Sequence, residues 1–322
     1  MKSLLVKVIL VSILVLLLPF ILTLLLSDKS DNTTSLAAMD FHVFYDKGGK
    51  SEELEFDQYL IGVVAANMPA GYSMEALKTQ AVIARTYALY NISLLTEDIP
   101  EKIDFTTSEL GLAFISLDEL EKFWGSEEYL TYFAKLENSV YGTKDEVMTY
   151  DGNLILPVFF DTGSGFTRNA SEAWGVKLPY LVSVESKSDV MSTHYLKIIE
   201  YELSELIRIL EQTYPEVTFS EDTFFDKVTV SERDSTNYIT AMDLGGQTVT
   251  GEEFAKVLGL NSNNFYMEDY DGKVRIICTG VGHGVGLSQY GANAMAGEGY
   301  SYDEILLHYY SDVSLVNINQ KD

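Results

Sequence analysis

Residues 62–87, which read GVVAANMPAGYSMEALKTQAVIARTY, carry the strongest structural pattern in this chain. The first part of the segment ends at a Met-Pro-Ala-Gly turn, after which Ser73 is placed to cap a helix. Apolar residues beyond Ser73 recur at alternating spacings of three and four, which predicts a helix reaching about Tyr90. Lys78 and Arg85 are seven residues apart, so this helix would carry both cations on one face.

Two cations on one helical face have two interpretations in such an acidic chain. They could hold an anionic ligand beside the Pro-Gly turn, or they could pair with neighbouring carboxylates at the surface. The spacing alone favours the second interpretation, because surface ion pairs are common and weak.

A second segment, residues 280–292, reads GVGHGVGLSQYGA and places four glycines at alternate positions around His283. Ser288 then begins a predicted helix that ends near Gly297. Glycine lets the backbone approach a ligand closely, and a helix N-terminus offers free N–H donors. A glycine-rich turn packed under a helix fits the same residues, so the sequence leaves both interpretations open.

The remaining pattern mixes helices and strands without regular βαβ alternation, which predicts the α+β class. The sequence Asp151-Gly152 predicts a tight hairpin turn between two strands. Ser116 with Glu119, and Ser301 with Glu304, fit helix capping boxes. Further helices are expected over 127–140 and 202–212, and strands near 41–45, 147–150, 154–160, 225–231, 237–242 and 274–279.

Composition excludes several classes of protein. The 322 residues are 47% hydrophobic and carry a net charge of -26, so neither disorder nor nucleic-acid binding is expected. One cysteine, Cys278, cannot form an internal disulfide or a thiolate zinc site. The four histidines lack metal-ligand spacing, and no phosphate loop, dinucleotide fingerprint or Gly-x-Ser-x-Gly elbow occurs. We therefore expect neither a metal nor a cofactor.

The N-terminus contains nineteen uncharged and mostly aliphatic residues, 8–26, which is about the length that crosses a bilayer. A cleaved signal peptide would have a shorter apolar region followed directly by small residues. An uncleaved anchor is therefore favoured. Lys2 and Lys7 are the charges that precede it, which predicts a cytoplasmic N-terminus.

This interpretation divides the chain into four parts and predicts a single-pass protein of the cell membrane. Without Lys2 and Lys7, the exported part has 20 basic and 48 acidic residues, a net charge of -28. The four parts are a cytoplasmic end (1–7), a transmembrane anchor (8–27), a linker (28–39) and one mixed extracytoplasmic domain with a cleft (40–322).

Together these segments resemble stage II sporulation protein D and its relatives, the amidase-enhancer family, over roughly residues 41–312. The specific parts are the Val-Val-Ala-x-x-Met-Pro turn with its following helix, and the Gly-His-Gly-Val-Gly-Leu-Ser-Gln-Tyr-Gly-Ala segment. Weaker agreement comes from 159–167, 174–181 and 305–310.

The resemblance implies a membrane-anchored lytic transglycosylase of sporulation. Such proteins cleave glycan strands of peptidoglycan that a partner amidase has stripped of peptides during engulfment of the forespore. One carboxylic acid protonates the glycosidic oxygen and then, as carboxylate, takes a proton from the muramic 6-hydroxyl, which closes a 1,6-anhydro ring. The expected partners are glycan strands, the membrane, an amidase and other engulfment membrane proteins.

This chain departs from the family at the acid itself, because Asn67 stands where the resemblance places glutamate. An amide cannot transfer the proton, and such a loss typically lowers a rate by about 10²–10⁴-fold. Asp161 is the better substitute, since it lies in a matched motif, and Glu75 is the other candidate. The family's zinc-binding set is absent.

The resemblance also assigns residues to substrate binding. Lys78 and Arg85 match positions associated with the glycan groove. The matched motifs extend the binding set to Tyr87, Ser164, His283, Ser288, Gln289 and Tyr290.

Three functions remain open from the sequence. The chain could be a working transglycosylase with a displaced acid, a catalytically silent glycan-binding protein, or an amidase enhancer that acts through protein contact.

Overall fold

The computed structural model describes residues 41–98 and 102–319. The predicted cytoplasmic end, anchor and linker lie outside these residues. Within them, no helix has the length and apolar character that a membrane span requires.

Helices and strands are mixed along the described chain, as the α+β prediction requires. The helices are α1 (Phe56–Asn67), α2 (Met74–Asp98), α3 (Leu117–Tyr141), α4 (Ala170–Trp174), α5 (Leu203–Thr213), α6 (Phe224–Lys227), α7 (Gly251–Val257), α8 (Gln289–Gly297) and α9 (Tyr302–Tyr309). The strands are β1 (His42–Lys47), β2 (Lys50–Leu54), β3 (Asp104–Thr106), β4 (Glu146–Tyr150), β5 (Asn153–Leu154), β6 (Phe159–Phe160), β7 (Leu196–Glu202), β8 (Val228–Arg233), β9 (Ile239–Leu244), β10 (Gln247–Thr250), β11 (Phe265–Tyr270), β12 (Lys273–Thr279), β13 (Leu287–Ser288) and β14 (Ser314–Asn317).

Helix α2 joins two hydrophobic cores, which explains why its sequence is so apolar. Leu77 and Ala81 pack into a core shared with α1 and α3. Val82 and Ile83 pack into a second core that contains residues of α8 and α9. Full burial of a valine, leucine or isoleucine side chain contributes about 1.5–3 kcal/mol. The helix begins at Met74, as predicted, and continues past Tyr90 to Asp98.

A third core lies in the part of the chain between residues 203 and 278. There β11, β12 and β7 form an antiparallel sheet, and β10, β9 and β8 form another. Leu206 and Leu210 of α5 and Phe254 of α7 are fully buried against these strands.

The predicted hairpin turn is confirmed, but its second strand is short. Asp151 and Gly152 have φ angles of 50° and 76°, and β4 pairs antiparallel with β5. Beyond this, Phe159 and Phe160 pair in parallel with Leu287 and Ser288. The pairing brings the glycine-rich segment next to Asp161.

The predicted helix over 127–140 is longer than expected. It begins at Leu117 with the predicted capping box of Ser116 and Glu119, and Gly125, at φ 72°, interrupts it. The capping box of Ser301 and Glu304 also forms, at the start of α9.

Arg85 is buried against the C-terminal end of α3, with 2% of its surface exposed. Its guanidinium donates hydrogen bonds to the carbonyl oxygens of Val140 at 3.0 Å, Thr143 at 2.7 Å and Glu146 at 3.2 Å. These bonds tie the last turn of α3 to the segment that leads into β4. The expectation that Arg85 lines a glycan groove is therefore corrected, because the guanidinium is buried and bonds to backbone carbonyls inside the protein.

We predict that Arg85→Ala lowers the free energy of unfolding by about 3 kcal/mol or more, because three buried carbonyls lose a charged donor. Arg85→Lys should recover part of the loss. Urea unfolding measures both variants. Arg208→Ala is the control, since the exposed Arg208 bonds to the neighbouring Gln212. A loss below about 1 kcal/mol for Arg85→Ala would contradict this structural role.

Candidate functional site

The candidate site forms where the end of α1 meets the beginning of α8. Gln289 Nε2 donates to the backbone oxygen of Asn67 at 2.6 Å and to Gln80 Oε1 at 3.0 Å. Gln289 is itself buried, with 6% of its surface exposed. The two segments that the sequence singled out are thus joined directly, and Gln289 supports the site from beneath.

The Asn67 side chain is held by its amide group. Nδ2 donates to the Val63 carbonyl oxygen at 2.7 Å and to the Ala113 carbonyl oxygen at 2.9 Å. A carboxylate in the same position would set an anionic oxygen against two carbonyl oxygens, and it has no proton to donate to them. The local bonding therefore suits an amide.

Asp161 lies beside this junction and presents a partly exposed carboxylate. Its backbone oxygen accepts a hydrogen bond from the Tyr290 N–H at 2.9 Å. Thr162 Oγ1 donates to Asp161 Oδ1 at 2.6 Å, and His194 Nδ1 is 3.8 Å from Oδ2. Because 41% of the Asp161 side chain is exposed, this carboxylate can meet a ligand.

Tyr72 belongs to the same cluster, although sequence reasoning did not select it. Burial raises the pKa of the Tyr72 hydroxyl, and the nearby carboxylates of Asp161 and Asp189 raise it further. The turn that carries Tyr72 is fixed at its end, since Ser73 N–H donates to Asn293 Oδ1 of α8 at 2.8 Å. An aromatic residue in the Met-Pro-Ala-Gly turn was the available signal.

A buried carboxylate, Asp189, holds the cluster together. Its two oxygens accept hydrogen bonds from the Gly163 N–H at 2.8 Å and from Ser288 Oγ at 2.7 Å. Burial raises the Asp189 pKa although these bonds oppose the rise. A Cβ on Gly163 would lie 2.5 Å from Asp189 Oδ2, so the loop needs glycine there.

Ser288 is a helix cap and is fully buried. Its Oγ accepts a hydrogen bond from the Gly291 N–H at 3.1 Å, as expected for the N-cap of α8. The predicted contact of Ser288 with substrate is therefore corrected to a structural role.

Lys78 and Glu75 form a pair at the start of α2. Lys78 Nζ is 2.8 Å from Glu75 Oε1, while Glu75 Oε2 accepts from the Tyr302 N–H at 3.0 Å. Both oxygens of Glu75 are thus engaged, which argues against Glu75 as a displaced acid. The pairing interpretation of Lys78 fits this arrangement.

Tyr87 and Ser164 have neighbours outside the Asn67–Asp161 junction. A Cβ on Gly111 would lie 3.2 Å from the Tyr87 ring. Ser164 lies beside Tyr238, whose pKa burial raises strongly.

His283 faces a different environment from the junction. Its ring centroid is 5.3 Å from that of Trp174 and 5.8 Å from that of Phe160. Nδ1 accepts a hydrogen bond from the Val285 N–H at 3.1 Å. Burial, assisted by the positive charge of Arg168, lowers the pKa of His283 to about 4. The imidazole is therefore neutral at neutral pH.

The described residues contain no group of three or more His, Cys, Asp or Glu side chains that could hold a metal ion. The junction defined by Asn67, Tyr72, Asp161, Gln289 and Tyr290, which we term the junction cluster, instead offers aromatic rings, a carboxylate and amides. Such a set suits a polar organic ligand.

Residues 45–150 match the family described as "Stage II sporulation protein". Stage II sporulation protein D of Bacillus amyloliquefaciens is 34% identical over 267 residues, which cover 82% of this chain and 75% of that protein. The protein of that name from Bacillus subtilis (strain 168) is 32% identical over 90% of this chain and 82% of its own length. The amidase enhancer of Bacillus subtilis (strain 168) is 26% identical over 80% of this chain and 40% of its own length.

We predict that His283 makes folding sensitive to mild acid. The unfolded chain holds the imidazole proton more tightly than the folded chain, since the folded pKa of about 4 is below the ordinary 6.5. The stability is therefore fully present above pH 6.5 and is lost as the pH falls towards 4, by up to about 3 kcal/mol.

Urea unfolding at pH 7.5 and pH 4.5 measures this effect in the parent protein and in His283→Gln. The variant should lose less stability between the two conditions. His194→Gln, at an exposed histidine, should behave as the parent does. Equal losses in the parent and in His283→Gln would contradict the prediction.

Proposed function

Because this chain belongs to the stage II sporulation protein D family, we propose that it binds glycan strands of peptidoglycan during sporulation. Residues 8–27 anchor it in the cell membrane, and residues 40–322 lie outside. Its relatives carry names that refer to sporulation and to the enhancement of an amidase, which supports a role at the cell wall.

The single observation that carries the proposal is the bonding of Asn67. The position that the resemblance gives to a catalytic acid holds an amide whose nitrogen donates to two backbone carbonyls. The residue is therefore built into the structure as a hydrogen-bond donor and does not transfer protons. We therefore infer that the chain binds glycan strands and that residue 67 transfers no proton to them.

The junction cluster has the chemical groups that recognise a sugar polymer. Tyr72 and Tyr290 are half-buried and give aromatic surfaces for the apolar faces of sugar rings. The partly exposed Asp161 carboxylate accepts hydrogen bonds from hydroxyl groups. The buried Gln289 holds this surface in place and does not need to touch the strand.

Cleavage with Asp161 as the acid is the second candidate function. It is favoured by the exposure of that carboxylate within the same cluster as Asn67. Protonated Asp161 would give its proton to the glycosidic oxygen as the bond to C1 breaks. The resulting carboxylate would then take the proton of the 6-hydroxyl while O6 bonds to C1.

We predict that Tyr72→Ala and Tyr290→Ala each weaken binding to peptide-free glycan strands by about 10-fold, a typical cost for losing an aromatic contact. Co-sedimentation of the full chain, kept in mild detergent, with insoluble strands measures this. Tyr300→Ala, which removes an exposed tyrosine outside the cluster, is the matched control. If the parent shows no strand binding, the proposal fails and action through contact with an amidase is supported.

We further predict that the parent chain releases no 1,6-anhydro sugar ends from these strands, whereas Asn67→Glu does. A glutamate cannot keep the bonds to Val63 and Ala113, so its carboxylate turns towards the cluster. Asn67→Gln keeps the length without the acid and should stay inactive. Product analysis by mass spectrometry measures the ends.

The opposite result would establish the second candidate function. Turnover in the parent that Asp161→Asn abolishes, with no gain from Asn67→Glu, would identify Asp161 as the acid.

A further inference from the structure

A cleft of about 450 Å³ lies beside His283 and shares no lining residue with the junction cluster. Phe160 separates the two places, since it precedes Asp161 in the chain and packs against the His283 ring. The volume is in the range of sites for small organic ligands. The cleft is lined by Trp174, Glu252, Ala255, Lys256, Leu260, Asn261, Ser262, Asn263, Gly282 and His283.

One wall of the cleft is aromatic and uncharged. The ring centroids of Trp174 and His283 are 5.3 Å apart, and both side chains are half-buried, so each leaves part of its ring towards the cleft. Trp174 is the last residue of α4, and Gly175 ends that helix in the left-handed conformation at φ 69°. The indole is thus presented by a defined helix end.

The base of this wall is rigid. The buried Arg168 donates from Nη1 to the His283 carbonyl oxygen at 3.0 Å and from Nε to Asp234 Oδ2 at 2.6 Å. Its guanidinium lies 4.6 Å from the centre of the Tyr238 ring. Because these contacts fix the His283 backbone, a ligand would not need to order it on binding.

The rest of the lining is mixed, since Ala255 and Leu260 are apolar whereas Glu252, Lys256 and the two asparagines are polar. Glu252 and Lys256 lie one helical turn apart on α7 and are exposed at the rim. Asn263 is held by its bond from Nδ2 to the Ile239 carbonyl oxygen at 2.8 Å, and Asn261 Oδ1 accepts from Lys197 Nζ at 3.2 Å. The amide oxygen of Asn263 and the amide nitrogen of Asn261 make no hydrogen bond within the described part of the chain.

Aromatic rings together with amides that other bonds hold in place favour a neutral sugar over an anion. The apolar face of a pyranose ring packs on an indole, while its hydroxyl and acetamido groups bond to amides and a carboxylate. The net charge of -26 disfavours phosphorylated ligands.

We propose that this cleft is a second saccharide site, which takes one or two N-acetylhexosamine units stacked on Trp174. The identity of the polymer that supplies these units rests on the function proposed above. The site itself does not, since it uses none of the junction residues. Two sites on one chain would increase its hold on a long strand.

The chain contains two tryptophans, which permits a direct test. Trp124 packs against Tyr132 of α3, with ring centroids 5.3 Å apart, in a core that does not include Trp174. Trp124→Phe therefore leaves Trp174 as the single reporter. We expect a β-1,4-linked N-acetylglucosamine tetramer to change its fluorescence saturably, with a Kd of about 0.1–1 mM.

Trp174→Phe, which keeps an aromatic ring and leaves Trp124 as reporter, should show no saccharide-dependent change. Calorimetry should show at least 10-fold weaker binding of the tetramer to Trp174→Ala. Lys256→Ala, at the exposed rim, should weaken binding without altering thermal unfolding. Glu252→Gln should also weaken binding, but it removes the ion pair of Glu252 Oε1 with Arg168 Nη1 at 3.6 Å as well.

The outcomes separate this inference from the proposed function. Absence of a saturable change up to about 10 mM, or an equal change in Trp174→Phe, overturns the inference. A response to a disaccharide that carries a stem peptide, but not to the tetramer, also overturns it in favour of a peptide site.

If Tyr72→Ala abolishes strand binding but not the Trp174 signal, both sites stand. If Tyr72→Ala leaves strand binding unchanged while Trp174 still responds to the tetramer, the inference is supported and the proposed role of the junction cluster in strand binding is contradicted.

Discussion

The Asp189 carboxylate is the contact on which the arrangement of the site depends. One oxygen receives the Gly163 N–H and the other receives Ser288 Oγ, so a single buried group fixes the loop after Asp161 relative to the N-terminus of α8. Ser288 in turn caps the helix that carries Gln289, and Gln289 reaches the backbone of Asn67. A buried anion without these donors would carry a large desolvation cost. The Gly163 N–H and the Ser288 hydroxyl therefore offset the cost of burying the Asp189 carboxylate, and the carboxylate in turn holds both donors in place.

The junction cluster and the cleft beside His283 both adjoin the glycine-rich loop. The loop runs close to its neighbours, since a Cβ on Gly286 would lie 2.0 Å from the Val158 carbonyl oxygen and one on Gly282 would lie 2.8 Å from the Phe160 Cβ. These contacts fit the packing interpretation of this segment, and the ligand interpretation stays a prediction. The glycines serve close packing, and His283 contributes a ring to a cleft.

The sequence predicted those structural features that depend on residues close together in the chain. The start of α2 after Ser73, the Asp151-Gly152 turn and the Ser288 cap each depend on residues within a few positions. Arg85 could not be placed in this way, because its acceptors lie 55 to 61 residues further along the chain. Nothing in the sequence distinguished Asp189 as a site residue, because an aspartate in a polar stretch is common and its burial depends on the tertiary fold. The pairing of Asn67 with Gln289 spans 222 residues, and the two motifs suggested it without giving the contact.

The bonding of Asn67 has a consequence for how such proteins diverge. Once an amide at the end of α1 bridges two carbonyls, the position selects for a donor, and a carboxylate that returned there by mutation would meet two repelling oxygens. An acid at this position would give up the two hydrogen bonds that the amide makes to Val63 and Ala113. A change between amide and acid at residue 67 therefore exchanges two local hydrogen bonds for a group that can transfer protons.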